Sequence, residues 1–492
     1  MEPIESYRPV LAVAVSALAA LLILRFEHRP NLREACTFAA ATVKLLLVLS
    51  LLPSALAGTP LQTTLLDVMP GVSLRLRADP FGTVFALLAA SLWLLTSVYS
   101  VGYMRSLREH AQTRYFASFA LALSSTIGVA LAANLLTLYL FYEILTLATY
   151  PLVVHKESEA AIQAGRKYLI YTLGAGVGIL AASAAIYSLT GTLELQAGGI
   201  VALRQADSTT LRVLFWALIV GFGVKAALLP LHGWLPTAMI APTPVSALLH
   251  AVAVVKSGVF GCVRVVGFVF GPILLADLGV ATALAYLAAA TILFGSVVAL
   301  SQDNLKRRLA YSTISQLSYI VLGAALLTPG GMMGSVLHLV NHGLLKITLF
   351  FCAGAIYVTT GCDRVSQLAG IGRRMPWTMG AFAIATLGLA GVPPLNGFIS
   401  KWYLCLGSLE ARHTGLALVL VVSGLLNIAY FFPIVYAAFF RASPEFQERG
   451  DARPALLVPL CTTAAASLVL GIWPNAGFRL WDLARAVAGG VP

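Results

Sequence analysis

Charge is what this sequence is shortest of. Asp, Glu, Lys and Arg make up 11% of its 492 residues, where a soluble domain carries about 25%. Acidic residues are the scarcer sign, 20 against 32 basic ones. Long polar stretches are missing too, and the longest polar break, around residues 194–212, leaves no room for a second soluble domain. These absences exclude a water-soluble globular protein. The six cysteines, Cys36, Cys262, Cys352, Cys362, Cys405 and Cys461, show no clustered spacing, so neither a disulfide framework nor an iron–sulfur or zinc site is expected. No G-x-G-x-x-G follows a strand pattern and no G-x-x-x-x-G-K-[ST] occurs. Dinucleotide-dependent hydride transfer and ATP hydrolysis therefore have no home in the chain, and no cofactor or metal is expected.

What the sequence has in excess is hydrophobicity, 59% apolar residues with a mean hydropathy of +0.87. Apolar blocks of about twenty residues, the span of a bilayer core, fall at 8–25, 38–57, 80–102, 115–132, 133–153, 165–187, 210–240, 243–268, 275–298, 309–327, 333–359, 377–403, 413–440 and 455–474. The expectation is an all-α polytopic membrane protein with fourteen spans and a single membrane domain over residues 1–492. The blocks are too long and too uniformly apolar for barrel strands. The first lacks a small-residue cleavage site and reads as an anchor.

The basic residues orient the spans. Loops after odd-numbered spans hold triplets: Arg25, Arg29, Arg33; Arg105, Arg108, Arg114; Lys156, Arg166, Lys167; Lys306, Arg307, Arg308; Arg364, Arg373, Arg374; Arg441, Arg449, Arg453. The opposite side and its helix ends hold half as many, Arg264 among them. The positive-inside rule then puts these loops in the cytoplasm and both termini outside. The net charge of +12 is spread as loop triplets instead of one basic face, which argues against nucleic acid. Five lysines remain, Lys44, Lys225, Lys256, Lys346 and Lys401, and all lie within apolar segments.

Two spans carry the same interruption. Span 7 reads Pro230-Leu231-His232-Gly233-Trp234-Leu235, and span 12 reads Pro394-Leu395-Asn396-Gly397-Phe398-Ile399. Five spans separate the two, an odd number, so five-helix repeats at 115–268 and 275–440 would lie in the membrane with opposite orientation. Inverted repeats with matched breaks are a transporter's sequence sign.

The titratable groups follow the breaks. Glu143, in FYEILTLATYP, is the one carboxylate well inside a span, whereas Asp79 and Asp277 stand at span ends and read as interfacial. A lone carboxylate or lysine at that depth is costly to charge. Glu143 beside Lys225 lets each keep its charge, and separating them lets the lysine give up its proton. In span 8, His250 and Lys256 are six residues apart, about 9 Å along a helix. In span 11, His338, His342 and Lys346 recur every four residues and line one face. Lys401 lies just past the second break and aligns with Thr237 instead of Lys225, so the repeat is one of backbone more than of chemistry. Alternating lysines and histidines suit proton transfer. Lys44 reads as structural, snorkelling from a span end, and His28, His110, His155 and His413 as loop residues without a role. Ser312, Thr313, Ser315, Gln316 and Ser318 read equally as the lining of an aqueous half-channel or as bonds between helices.

Together, FYEILTLATYP, GFGVKAALLPLHGWLPTAMIAPTPVSALLHAVAVVKSG, SQDNLKRRLAYSTISQLSY, HLVNHGLLKITLFF and GVPPLNGFISKW resemble the antiporter-like proton-translocating membrane subunits of respiratory complex I, membrane-bound hydrogenases and multisubunit cation/proton antiporters. The resemblance covers about residues 75–405 and is most like the D subunit of the Mrp-type sodium/proton antiporter. It implies two inverted five-helix repeats side by side with homologous subunits. Glu143 and Lys225 match the family's carboxylate–lysine pair, Lys256 and His250 its connecting groups, His338, His342 and Lys346 its central site, and Lys401 its terminal group, with His232 on the same path. Many relatives carry an acid where this chain has Thr237, and no long lateral helix like that of the largest family member is expected. The implied function is proton translocation in a Na+/H+ antiporter complex, with protons, Na+ and the lipid bilayer as partners. The alternative is a pumping subunit of a redox-driven complex; a scaffold without transport is argued against by the five buried bases.

Overall fold

A backbone amide in hydrocarbon has no water to bond, and the helix satisfies it within one segment. The chain, in a computed structural model that describes residues 3–491, is helical along most of its length. Among the described residues eleven helices are long and apolar enough to cross a membrane, against fourteen spans expected. Helices also stand at the other three positions, each with a reason for falling short. Gln112–Ala130 and Leu305–Ala325 are long, but serines, threonines and a glutamine dilute their apolar character. The twelfth span is cut into Pro376–Ala390 and Asn396–Glu410, of 15 residues each.

The stretch between the second and third spans holds a hairpin. Strands Leu61–Met69 and Val72–Arg77 pair antiparallel, and Ile4–Glu5 adds to the first in parallel. Gly71 closes the turn with φ 77°, a conformation glycine adopts without penalty. Arg75 and Arg77 each lie 3.6 Å from Glu194, and Arg77 donates to the Leu195 carbonyl at 2.6 Å. The 194–212 excursion is thereby fastened to the hairpin.

Both expected breaks are present. The Lys225 helix, Ser208–Lys225, ends five residues before Pro230, not at the proline. Ala227 turns left-handed at φ 57°, and the Leu228 amide bonds back to the Gly223 carbonyl at 3.0 Å, a C-terminal turn that closes a helix. Short turns Leu231–Gly233, Trp234–Thr237 and Ala238–Ile240 follow. In the second break, Pro376–Ala390 ends at Gly391, φ 91°. The Lys401 helix, Asn396–Glu410, then resumes. Leu229–Pro230 and Pro393–Pro394 are both cis.

A third break was not expected. Span 8 divides into Thr243–Ala251 and Val254–Arg264, the latter running into a π-helical stretch, Val265–Phe270. The interruption falls at Val252–Ala253, where no proline or glycine announces it. Gly258 of the second piece crosses the end of the Lys225 helix so closely that a β-carbon there would meet the Lys225–Ala226 backbone. Small residues permit this approach between membrane helices.

Candidate functional site

Tyr142 and Glu143 are neighbours on the helix Leu135–Val153, and they divide the work at the first break. Lys225, fully buried, donates to the Tyr142 backbone carbonyl at 2.5 Å, and its amine stands 3.3 Å from the centre of the Tyr142 ring. It is the last residue of its helix, where unpaired carbonyls and the negative end of the helix dipole favour a cation. Glu143 is close by, yet it forms no ion pair within 4.0 Å among the described residues, and its Oε1 is buried without a hydrogen-bond partner. Its carboxylate lies over Gly176 of the helix Glu159–Thr190, where a β-carbon would strike it. The Lys225 amine and the Glu143 carboxylate are thus not bonded to each other. His232 sits in the broken segment with its ring edge-on to Phe294 at 4.9 Å and Nδ1 unpartnered.

The centre is a branched network of buried polar side chains. Lys256 bonds the Leu339 carbonyl at 2.9 Å and His342 Nδ1 at 2.8 Å, joining span 8 to the Lys346 helix, Pro329–Thr360. His342 stacks on His338 at 6.0 Å. His338 bonds Ser400 at 2.9 Å and Gln316 at 3.1 Å. Lys346 turns the other way and donates to Ser312 at 2.8 Å. The Tyr430 hydroxyl donates to Ser312 at 3.0 Å and lies against Asn427, whose Oδ1 also faces Gln316 at 3.5 Å. Ser312 and Gln316 therefore make bonds between helices, as does Ser315, which meets Ser296 at 2.9 Å. His250 stands apart: both ring nitrogens are buried and unpartnered, and its ring tilts against Phe350. The expected single stripe is a fork, because His342 reaches into span 8 while Lys346 reaches into the helix Leu305–Ala325.

At the second break Lys401 reaches back across the gap. Its amine donates to the carbonyls of Leu389 and Ala390 at 2.5 and 3.1 Å, the last residues of the preceding half-helix. It also lies 5.2 Å from the Tyr319 ring, which in turn stacks on His338 at 5.2 Å. Both breaks consequently place a lysine amine on backbone carbonyls, Lys225 on one inside a neighbouring helix and Lys401 on those that end the preceding half-helix, and the lysines come from non-equivalent positions.

Several side chains differ from expectation. Lys44 does not snorkel: its helix begins at Pro30, which puts it about 21 Å inside, fully buried with its amine against Ser16, the Leu123 carbonyl and the Trp93 ring. Asp79 and Arg264 form a bidentate pair at 2.6 and 2.8 Å, with Arg264 fully buried among Phe81, Phe260 and Phe268. Arg264 is therefore no marker of a span end, and Asp79 caps its own helix by accepting from Gly82. Sequence reasoning missed Tyr142, Ser400, Ser423, Asn427 and Tyr430. The last three recur at intervals of four and three in an otherwise apolar helix, a signal of one polar face.

A cavity of about 560 Å³ opens beside the first break, lined by Lys156, Lys167, Lys306, Thr237 and Thr243. Thr237 donates to its own turn at Trp234, and Thr243 begins the helix that carries His250.

Residues 132–427, which contain Glu143, all four network lysines and both breaks, match the family described as NADH:quinone oxidoreductase/Mrp antiporter, TM. The chain belongs to this family. It is 34% identical to the NADH-quinone oxidoreductase subunit N of Desulforudis audaxviator, over 95% of this chain and 96% of that one. It is 29% identical to the D subunit of the Na(+)/H(+) antiporter of Alkalihalophilus pseudofirmus, over 80% and 79%. The fold is that of a chain in the Mrp complex from a Dietzia species, with a TM-score of 0.86 at 24% identity over 99% and 98% of the two chains. A chain of an archaeal membrane-bound sulfane sulfur reductase superposes with a TM-score of 0.88, also at 24% identity over 99% and 98%. As a family member the chain is an antiporter-like, multi-pass membrane subunit.

Proposed function

We propose that this chain is the proton-translocating subunit of a multisubunit Na+/H+ antiporter. In this reading protons move between the two breaks along Glu143/Lys225, Lys256, His342 and His338 to Lys401, with Lys346 joined as a side branch through Ser312, Tyr430, Asn427 and Gln316. The observation that carries the proposal is the hydrogen bond between Lys256 and His342, which links the part of the chain around the first break to the network reaching the second. Paired breaks support inverted repeats at 115–268 and 275–440, with the helix ends supplying dipoles at the midplane. The cavity beside Thr237 lies on the face with the basic triplets and serves as the cytoplasmic entrance. Lys401 faces the next membrane subunit, and the whole assembly sits in a bacterial plasma membrane with both termini outside.

Glu143 and Lys225 are the switch. Lys225 on the Tyr142 carbonyl is the separated state, and a rotation that brings its amine to the free Glu143 oxygen restores the ion pair. In proteoliposomes of the assembled complex, Glu143→Ala or Lys225→Ala lowers Na+-driven dissipation of a pH gradient at least ~100-fold, the scale of a lost proton-transfer group. Normal transport in both variants contradicts the proposal.

A second reading, a proton pump driven by quinone or other redox work, is favoured by the 34% identity to a subunit N over nearly the full length of both chains. Copurifying quinone or iron–sulfur subunits, together with proton transport indifferent to Na+, would decide for it.

A further inference from the structure

His110 and His155 are 45 residues apart and belong to different loops, yet their rings stack with centroids 4.8 Å apart. Glu109 Oε2 lies 4.0 Å from His110 Nδ1 and 3.9 Å from His155 Nε2, and one donor atom from each of the three lies within 4.8 Å of the others. His155 is fully buried and neither of its ring nitrogens has a hydrogen-bond partner. A buried imidazole without partners is costly and calls for an explanation. The proton path described above does not reach this end of the Leu135–Val153 helix, so it supplies none.

We propose that Glu109, His110 and His155 form a binding site for a divalent transition-metal ion of the zinc class. Two imidazoles and one carboxylate are a borderline-soft donor set that suits zinc and not magnesium or calcium, which take oxygen ligands. Three protein ligands leave a fourth position for water. A contraction of the present spacing, through rotation of the half-exposed His110 and the Glu109 side chain, brings the three donors to coordinating distance. Arg114, close by, is already engaged by Glu157 at 2.5 Å and by the His155 carbonyl at 3.3 Å. Glu109 also lines a surface cavity of about 500 Å³, together with Asn31, Arg105, Arg108 and Gln112. A bound ion ties the end of the helix carrying Glu143 to the turn after Pro80–Ser106.

The test is Zn2+ titration of the tag-free, full-length protein in its assembled complex after chelator treatment, with X-ray absorption at the zinc edge. The result expected is one Zn2+ per chain, unaffected by excess Mg2+, with two imidazoles and one carboxylate in the coordination shell. Zn2+ also slows amide exchange over residues 150–157. Because His155→Ala removes a buried ring, the half-exposed His110→Ala and Glu109→Gln carry the same prediction, affinity at least ~10-fold weaker. Unchanged Zn2+ stoichiometry and affinity in His110→Ala and Glu109→Gln, equal binding of Mg2+, or a shell without histidine would overturn the site.

Discussion

The two breaks use one backbone device with two different electrostatic supports. At the first, Lys225 ends its own half-helix beside a tyrosine carbonyl and ring, and a carboxylate with a free oxygen stands nearby. At the second, Lys401 belongs to the following half-helix and reaches back to the carbonyls of Leu389 and Ala390, with no carboxylate bonded to it. A buried amine with only carbonyl dipoles for support has one way of being charged, whereas one with an acid in reach has two. In the proposed relay the first break is therefore the one that switches, and the second the one that holds and passes on. Lys256 is a third case: it lies in the first turn of its helix, the end that disfavours a cation, and it leans on His342.

The largest effect that would test this contrast is at the terminal group. Lys401→Ala is expected to lower proton transfer ~100-fold while the complex still assembles, because the side chain meets only carbonyls and an aromatic face. Loss of the complex on a native gel would instead make Lys401 a structural residue.

Glycines offer a matched pair of intermediate perturbations. Gly391→Ala sets a methyl against the Lys401 side chain and forces a left-handed conformation on alanine, at a cost of ~1–2 kcal/mol. Thermal unfolding of the complex should register it. Gly176→Ala carries no positive φ and drives its methyl into the Glu143 carboxylate. It should slow transport with less change in unfolding temperature, and the reverse pattern would remove the distinction drawn between the breaks. The smallest effect is expected from Tyr319→Phe. The hydroxyl donates to the Leu420 carbonyl at 3.3 Å, while the ring that contacts Lys401 and His338 is retained, so flux should stay within ~2-fold at a cost of about 1 kcal/mol in stability.

Much of this arrangement was legible in the sequence. Hydrophobic blocks marked the spans, Pro-Gly clusters marked breaks 7 and 12, and lysines within apolar stretches marked the titratable groups, because a charge in hydrocarbon is expensive wherever it falls. Signals that depend on tertiary approach were not legible. The break at Val252–Ala253 has ordinary residues, and Lys225 ends its helix before the proline that was expected to end it. The misplaced start of the Lys44 helix turned a buried lysine into a snorkelling one. Arg264 looked like a span-end charge until Asp79, 185 residues away, was found beside it. The His110–His155 contact is of the same kind: two loop histidines gain chemical meaning only when the fold stacks them.

The central claim is that a single relay joins the two breaks through the contact between Lys256 and His342. Its most direct measurement is proton flux under an imposed gradient in proteoliposomes of the complex carrying His342→Ala, with assembly verified on a native gel. The account predicts flux lowered ~100-fold in a correctly assembled complex. Flux equal to that of the unsubstituted complex would contradict it.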